Sequence, residues 1–373
     1  MQAMQTEFSE DQEQFREVVS RFLSDKSPPS EVRRLMATEE GFDWDVWRQM
    51  TGEVGLAGTH LPEKYGGFGY GPIELGIVAE EMGRHLYCGP FFASSVMAGY
   101  ALLLSGADSA KESLLTKIAS GSVVASLVLD DLNSPEFIGK GVTAADGVLS
   151  GKAPLVVDAQ NADHLLVIAG AKAGLDLYSL SPTSDGVSVR SVEGIDATRK
   201  LGSVSFDNAV ATKVGELDSS SLNSLWDHIC VALAHEMIGG AQCLFDATVQ
   251  YTKLRYQFGR PIGSFQGLKH RCADLLMELE FAKAATHHAA FCLAAEPGER
   301  GVEPYAASMA KALAADVYVK TGKEAIQMRG GIGFTWEEDT HLWFKRAKSS
   351  EVFMGTPAMH RERMMVQMED EAS

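Results

Sequence analysis

Two short strings of residues carry groups that could hold a nucleotide cofactor. The first runs from Arg255 to Gln266 (RYQFGRPIGSFQ), and the second, about sixty residues later, runs from Gln327 to Glu337 (QMRGGIGFTWE). A guanidinium matches a diphosphate in a bidentate way, an aromatic ring can cover a nucleotide, and paired glycines let the backbone approach phosphate oxygens. Taken singly, such residues are more often surface cations and helix breaks. The two strings together, in this order and spacing, favour a cofactor site.

These strings lie in the last of three segments that differ in residue pattern. The first segment has helical periodicity and begins with a capping-box signature, Ser9 followed by Gln12. The second carries short β-branched runs separated by turns at Asp146-Gly147 and Asp185-Gly186, which is typical of a small antiparallel barrel or sandwich. The third returns to long helical periods. We expect an N-terminal helical domain at 1–119, a middle β domain at 120–216 and a C-terminal helical domain at 217–373.

The composition excludes several classes of protein. The chain has 373 residues, of which 45% are hydrophobic and 22% charged, as in an ordinary globular protein. Lys and Arg number 33 against 50 Asp and Glu, so the formal net charge is −17. Because no excess of cations is available to neutralise phosphates, nucleic acid is not expected as a main partner.

Neither a membrane span nor a secretory signal is expected. The longest apolar stretches, such as Val123–Leu129 and His164–Ala169, are far shorter than the roughly 20 residues that a bilayer-spanning helix needs. The N-terminal stretch MQAMQTEFSEDQEQF has neither a basic segment nor an apolar core. The expected location is therefore the cytoplasm.

The cysteines and histidines do not indicate a metal site. The five cysteines are scattered and form no C-x-x-C pair, so we expect reduced thiols in the core. The histidines, including His270, the pair His287-His288, and His341, show no ligand spacing with cysteines or carboxylates. No metal is expected.

With the Pro62–Gly67 loop (PEKYGG) and the helical, β, helical order, the two strings make this chain resemble the acyl-CoA dehydrogenases over essentially its full length. The resemblance implies an α+β fold with an N-terminal helical domain, a middle antiparallel β domain and a C-terminal four-helix bundle. It also implies a tetrameric flavoprotein that uses FAD to oxidise an acyl-CoA thioester between Cα and Cβ. In that reaction a carboxylate removes the α proton, and the β hydrogen leaves as hydride.

In that family, residues of the two strings hold the adenosine and pyrophosphate of the FAD in the neighbouring subunit. Carried over one by one, the matching residues are Arg255, Phe258, Gln266, Gln327, Gly330 and Gly331.

The positions of the catalytic base depart from the family pattern. Most members carry a glutamate in a Tyr-Glu-Gly-Thr turn, and the matching position here is Met354, followed by Gly355-Thr356. Other members place the base on the helix before the first string, and the matching position is Ile229. Neither a thioether nor an alkyl group can accept a proton from carbon. The resemblance therefore yields no confident catalytic residue.

The expected contacts to the flavin ring are lost as well. The family's first strand usually ends in Thr-Glu-Pro and a Gly-Ser turn, but the matching stretch here is Leu127–Leu132 (LVLDDL). A later Trp-Ile-Thr, which hydrogen-bonds the flavin N5 edge, matches Leu155–Val157, and Val157 has no hydroxyl. Groups that would hold a flavin in this subunit are gone, whereas groups that would reach the FAD of a neighbour are kept.

This pattern resembles the base-lacking subunit of heterotetrameric members (α₂β₂), known among enzymes that shorten steroid side chains. A second acyl-CoA dehydrogenase chain would then be the partner, acyl-CoA the substrate, and an electron-transfer flavoprotein the expected acceptor. One alternative is a self-sufficient homotetramer with a relocated base. Its candidates are Glu236, about 10 Å along the helix from Ile229, and Glu351, three residues before Met354. Another alternative is a flavin-free scaffold or acyl-CoA-binding relative.

Overall fold

The computed structural model describes residues 8–172, 174–295 and 303–372, and its elements follow the predicted order of helices, strands and helices. The N-terminal helices are α1 (Glu10–Lys26), α2 (Pro29–Met36), α3 (Trp44–Arg48), α4 (Pro72–Arg84), α5 (Gly99–Ser105), α6 (Asp108–Ala110) and α7 (Thr116–Ala119). Wider π-helical turns adjoin α3, α5 and α7 at Gln49–Glu53, Phe92–Ala98 and Lys111–Leu115.

Strands and then longer helices complete the chain. The sheet strands are β1 (Ala125–Val128), β2 (Val142–Ala145), β3 (Val148–Val157), β4 (His164–Ala171), β5 (Gly174–Leu180), β6 (Val187–Val192), β7 (Leu201–Val210) and β8 (Thr212–Leu217). A short hairpin is formed by β9 (Tyr256–Gln257) and β10 (Arg260–Pro261). The C-terminal helices are α8 (Ser219–Leu254), α9 (Gln266–Ala294), α10 (Ala306–Arg329), α11 (Thr340–Val352) and α12 (Pro357–Ala372). Helix α10 lies at their centre and packs against the other four.

The start of α1 has the predicted capping box. The backbone N–H of Gln12 donates to the Ser9 hydroxyl at 3.2 Å, and the backbone N–H of Ser9 donates to the Gln12 side-chain oxygen at 2.9 Å. Two backbone donors that the helix cannot satisfy are thereby paired at its first turn.

The middle segment forms a mixed sheet. Its strand order is β6-β7-β3-β2-β4-β5-β8, and β1 pairs with β4. Most neighbours are antiparallel, as predicted, but β1 and β2 each pair with β4 in parallel. The Asp146-Gly147 turn joins β2 to β3 with positive φ at both residues, which suits a two-residue hairpin. Turns of this kind determine only the pairing of adjacent strands. The parallel pairing of Ala125 with His164 joins distant segments, and no local sequence pattern predicts it.

Helices α4 and α8 touch backbone to backbone at two glycines. A Cβ atom on Gly83 would lie 1.8 Å from the carbonyl oxygen of Glu236, and one on Gly239 would lie 1.8 Å from the carbonyl oxygen of Glu80. Since real Cβ atoms do not come within 3.0 Å of other heavy atoms, neither position accepts a side chain. This crossing fixes the relative placement of the two helices.

Helix α8 forms much of the core. By length and composition alone it could cross a membrane, but 78% of its most apolar window is buried inside the protein. That burial is typical of the central helix of a globular domain, whose apolar residues pack on all sides. The helix carries Ile229 and Glu236 and ends directly before Arg255.

Candidate functional site

The first string forms a hairpin that projects from the end of α8. Arg255 follows the last residue of the helix, and Phe258 and Gly259 form the two-residue turn between β9 and β10, with φ of 56° and 78°. Positive φ at both central residues is the requirement of the type I′ turn, whose twist matches that of the strands. The turn leaves the Phe258 ring 89% exposed, and Gln266 opens α9 beyond it.

The second string spans the end of α10, which contacts the last turns of α8. Gly330, with φ of 63°, follows the last helical residue, Arg329. The buried guanidinium of Arg329 donates to the Thr248 hydroxyl at 3.0 Å, and the Tyr251 hydroxyl donates to the Arg329 carbonyl at 3.4 Å. These contacts attach the end of α10 to the last turns of α8. The fold therefore brings the two strings, distant in sequence, to one end of the helical domain.

The side chains of this surface are available to a ligand. In the part of the chain that the structure describes, no hydrogen bond or ion pair engages the side chains of Arg255, Gln266 or Gln327, and all three are exposed. A Cβ atom on Gly330 or Gly331 would meet no atom within 4 Å. We call the six residues the exposed rim: Arg255, Phe258, Gln266, Gln327, Gly330 and Gly331. A free guanidinium, free amides, an uncovered ring and open backbone are a suitable donor set for FAD.

The turn that matches the family's base is instead part of the core. Met354 is 0% exposed and packs within the largest apolar cluster, and its φ of 59° places it in the left-handed region. The His360 ring nitrogen Nε2 donates to the Met354 carbonyl at 2.7 Å, and the Lys311 ammonium donates to the Gly355 carbonyl at 3.0 Å. We call Phe353–Thr356 the Met354 turn. Its main chain is held by buried polar partners, and its central side chain is apolar.

Burial shifts the pKa of each group that holds this turn. Burial, aided by the nearby charge of Lys311, lowers the pKa of His360 to about 3. Burial lowers the pKa of Lys311 itself to about 8. The Cys230 thiol, 3.9 Å from the Met354 carbonyl, has its pKa raised to about 12, again by burial. Each of these groups is thus shifted towards its neutral form.

The residues that match the family's flavin-ring contacts are engaged in contacts within the chain. Val157 is buried, and its carbonyl accepts a hydrogen bond from the Ser126 hydroxyl at 2.6 Å. Asp130 accepts from the backbone N–H groups of Gly139 and Val142 at 2.8 and 2.7 Å, which orders the loop after β1. That loop reaches the Met354 turn, because a Cβ atom on Gly355 would lie 3.1 Å from the Asn133 carbonyl oxygen. Ser126 and Asp130 are thus paired with the main chain of the protein itself.

Glu236, one of the two candidate bases, is held by two arginines. Arg199 donates to its two carboxylate oxygens at 2.7 and 2.5 Å, and Arg346 donates to Oε1 at 2.9 Å. Arg346 also donates to Asp196 at 2.6 Å. All four side chains are buried, and we call them the ion cluster. Burial alone would lower the pKa of Arg346, but the charges of Asp196 and Glu236 outweigh it and the pKa is raised.

The space beside the ion cluster is too small for an acyl chain. The cavity there measures about 20 Å³ and is lined by Arg199, Glu236 and Phe92, among others. That volume accommodates roughly one water molecule. The Arg199 guanidinium lies 4.9 Å from the ring centre of Phe92 and 6.0 Å from that of Phe353. The Phe92 ring and the Phe353 ring of the Met354 turn therefore both pack near the ion cluster.

Glu351, the other candidate base, lies near the surface. Its carboxylate pairs with the Lys348 ammonium one turn earlier on α11, and about a quarter of its side chain is exposed. Its backbone carbonyl accepts from Lys311 at 3.4 Å. Ile229, the other matching base position, is 0% exposed in the core of α8.

Sequence models of known families decide where the chain belongs. The model for the acyl-CoA dehydrogenase N-terminal domain matches residues 9–122, and the model for the C-terminal domain matches residues 226–368. The chain belongs to the acyl-CoA dehydrogenase family. The predicted family and fold are thereby confirmed.

Individual members of the acyl-CoA dehydrogenase family are similar over nearly the whole chain. Acyl-CoA dehydrogenase IpdE2 of Mycobacterium tuberculosis is 33% identical over 350 residues, covering 93% of this chain and 94% of the relative. A variant of the Tcur3481-Tcur3483 steroid ACAD has a structure with a TM-score of 0.87 at 26% identity, covering 97% and 99% of the two chains. The ChsE4-ChsE5 complex from Mycobacterium tuberculosis has a TM-score of 0.89 at 23% identity, covering 98% and 99%, and shares the fold.

Sequence reasoning missed two features of this family member. The ion cluster joins residues up to 150 positions apart, so no local pattern signals it. Two groups of potential metal ligands also form, although no metal site was expected: Glu80, His235 and His287, and separately His288, Cys292 and Glu303. For the second group a signal existed, because His288 and Cys292 are four residues apart on α9 and share a helix face.

Proposed function

We propose that this chain is the non-catalytic subunit of a heterotetrameric acyl-CoA dehydrogenase. In this assembly the partner chain supplies the base and the flavin-ring pocket, and this chain completes the FAD site across the interface. The observation that carries the proposal is the contrast between the enclosed Met354 turn and the exposed rim. A base must touch the substrate, and the buried Met354 thioether can neither do so nor accept a proton.

The exposed rim would hold the adenosine and pyrophosphate end of FAD. The guanidinium of Arg255 would pair with the diphosphate, the Phe258 ring would cover the nucleotide, and the Gln266 and Gln327 amides would add hydrogen bonds. Open backbone at Gly330 and Gly331 would approach phosphate oxygens. When bound, FAD supplies a hydride acceptor for the β hydrogen of the acyl-CoA. Electrons would then pass to an electron-transfer flavoprotein, the acceptor expected for the family.

The substrate class is an acyl-CoA thioester. Because one structural relative is a steroid ACAD, a CoA thioester of a steroid side chain is the first substrate to test. The small cavity beside the ion cluster supports a substrate pocket formed largely by the partner.

The two alternatives have less support. A self-sufficient homotetramer needs Glu236 or Glu351 as base, but Glu236 is held by two arginines beside a water-sized cavity and Glu351 pairs with Lys348. A flavin-free scaffold has no need for the six residues of the rim, which retain the family's chemistry and remain exposed.

The test is to purify the chain alone and together with the product of a neighbouring dehydrogenase gene. The bound-flavin spectrum and acyl-CoA oxidation with an artificial electron acceptor are measured for both. We expect little FAD and no turnover for the chain alone, and one FAD per heterodimer with turnover for the complex. Stoichiometric flavin and turnover in the chain alone would support the homotetramer. A complex whose flavin content does not change when rim residues are substituted would support the scaffold.

A further inference from the structure

Three side chains with different ligand chemistry meet where α9 ends and α10 begins. His288 and Cys292 lie one turn apart on α9, and Glu303 lies three residues before the first residue of α10. The Cys292 sulfur is 3.4 Å from His288 Nε2 and 3.6 Å from Glu303 Oε2, and His288 Nε2 also contacts Glu303 Oε2 directly. One nitrogen, one sulfur and one oxygen therefore converge on a common point.

These separations match those around a tetrahedral zinc ion. With Zn–S near 2.3 Å and Zn–N and Zn–O near 2.0–2.2 Å, ligand atoms at tetrahedral angles lie about 3.5–3.6 Å apart for the pairs that include sulfur. The observed 3.6 Å lies within that range, and the observed 3.4 Å lies just below it. Around an ion, His288 Nε2 and Glu303 Oε2 would lie about 3.3 Å apart. A small rotation of the Glu303 side chain, which is one-third exposed, would give that separation.

We infer that His288, Cys292 and Glu303 form a binding site for a divalent cation of the zinc type. A thiolate, an imidazole and a carboxylate together suit Zn²⁺, whereas Mg²⁺ and Ca²⁺ prefer oxygen ligands alone. Solvent reaches the cluster beside Glu303 and supplies the fourth ligand. As the Zn–S bond forms, the thiol proton passes to the solvent, with no change of oxidation state. The bound ion links the end of α9 to the residues just before α10.

The second group of potential ligands, contributed by α4, α8 and α9, is a natural control. Glu80, His235 and His287 also converge, with His287 Nε2 at 3.3 Å and His235 Nδ1 at 3.7 Å from Glu80 Oε2. However, the Arg16 guanidinium donates to the other oxygen of Glu80 at 2.8 Å, so a cation is already paired with this carboxylate. A second cation would be repelled there, and the group lacks a thiolate. Metal is expected at the cysteine-containing site only.

The experiment titrates the chelator-treated full chain with Co²⁺ and then with Zn²⁺. The absorption spectrum of bound Co²⁺ depends on its ligands. A thiolate ligand gives a near-ultraviolet charge-transfer absorption, and tetrahedral geometry gives intense visible bands. We expect one equivalent of Co²⁺ to produce both, Zn²⁺ to displace it, and the melting temperature to rise with Zn²⁺. Absence of a thiolate band at one equivalent would overturn the inference.

Variants assign the ligands. Cys292→Ser should abolish the thiolate band and weaken Zn²⁺ binding by more than about 100-fold, since even outer-shell changes typically cost 10- to 100-fold. Glu303→Gln, a partly exposed substitution that preserves the fold, should weaken binding about tenfold or more. The matched controls Cys272→Ser, another α9 cysteine, and His287→Ala, in the second group, should leave the titration unchanged. Loss of the band in either control, or its retention in Cys292→Ser, would overturn the assignment.

Discussion

The exposed rim and the Met354 turn belong to the same helical segment and differ in both exposure and chemistry. The rim keeps a guanidinium, two amides and an open glycine pair on the surface, with no side-chain partner among the residues described. The turn has an apolar residue at the position of the base and is enclosed by Lys311, His360 and the loop after β1. The two regions can therefore change independently, because different packing constrains them.

The prediction with the largest expected effect tests whether the ion cluster has a structural role. Arg346→Ala removes the ionic partner of Asp196 and one of the two arginines at Glu236, leaving the buried cluster with an excess of negative charge. We expect a loss of about 3–5 kcal/mol in the free energy of unfolding, measured by chemical denaturation. The control is Arg361→Ala, whose pair with Asp316 is half exposed and should contribute less than about 1 kcal/mol. Equal effects of the two variants would contradict a structural role for the ion cluster.

The next prediction tests whether the exposed rim binds FAD. Arg255→Ala should raise the FAD dissociation constant of the heterotetramer roughly tenfold to hundredfold, because losing a hydrogen bond to a charged group costs about 1.5–3 kcal/mol. The stability of the chain alone should not change, since the Arg255 side chain is exposed and has no partner among the residues that the structure describes. Arg260→Ala, in the same hairpin but stacked on Phe265, is the matched control. If flavin release on dilution is the same in both variants, Arg255 does not contact the cofactor.

A smaller effect concerns pH and the Met354 turn. The folded-state pKa of His360 is about 3, below its usual 6.5, so the unfolded chain takes up the proton first as the pH falls. Stability present above pH 6.5 is therefore lost towards pH 3, by about 1.4 kcal/mol per pH unit for this one group. His360→Gln keeps a donor for the Met354 carbonyl and should flatten this dependence in denaturation curves between pH 6.5 and 4. Replacing the exposed His270 by glutamine should leave the slope as it is.

The smallest effect addresses the remaining candidate base. Glu351→Gln should leave turnover of the complex unchanged and alter the free energy of unfolding by less than about 1 kcal/mol, because a partly exposed ion pair contributes little. Kinetic assays with saturating acyl-CoA and a denaturation curve check both numbers. A loss of turnover of a hundredfold or more would identify Glu351 as the base and restore the homotetramer as the leading hypothesis.

Local patterns predicted the parts of the fold that are local. The Ser9–Gln12 capping box and the Asp146-Gly147 hairpin need only neighbouring residues, and both are present. The parallel pairing of β1 with β4 and the ion cluster depend on which distant segments pack together, and no short window of sequence contains that information. The same holds for the site. The resemblance predicted the six rim residues, but only the packed structure places Glu236 between two arginines and Glu303 beside Cys292.

In the proposed non-catalytic subunit, the glycine crossing of α4 and α8 limits how activity could be restored. Room for a substrate beside Glu236 would require the two helices to separate, yet Gly83 and Gly239 keep their backbones in contact. A single Met354→Glu change would therefore place a carboxylate in a buried turn and leave the contact between the two helices as it is. If the chain descends from a self-sufficient ancestor, the loss of its pocket is hard to reverse. Once close packing has replaced a pocket, reopening it requires a helix to move and many side chains to change together.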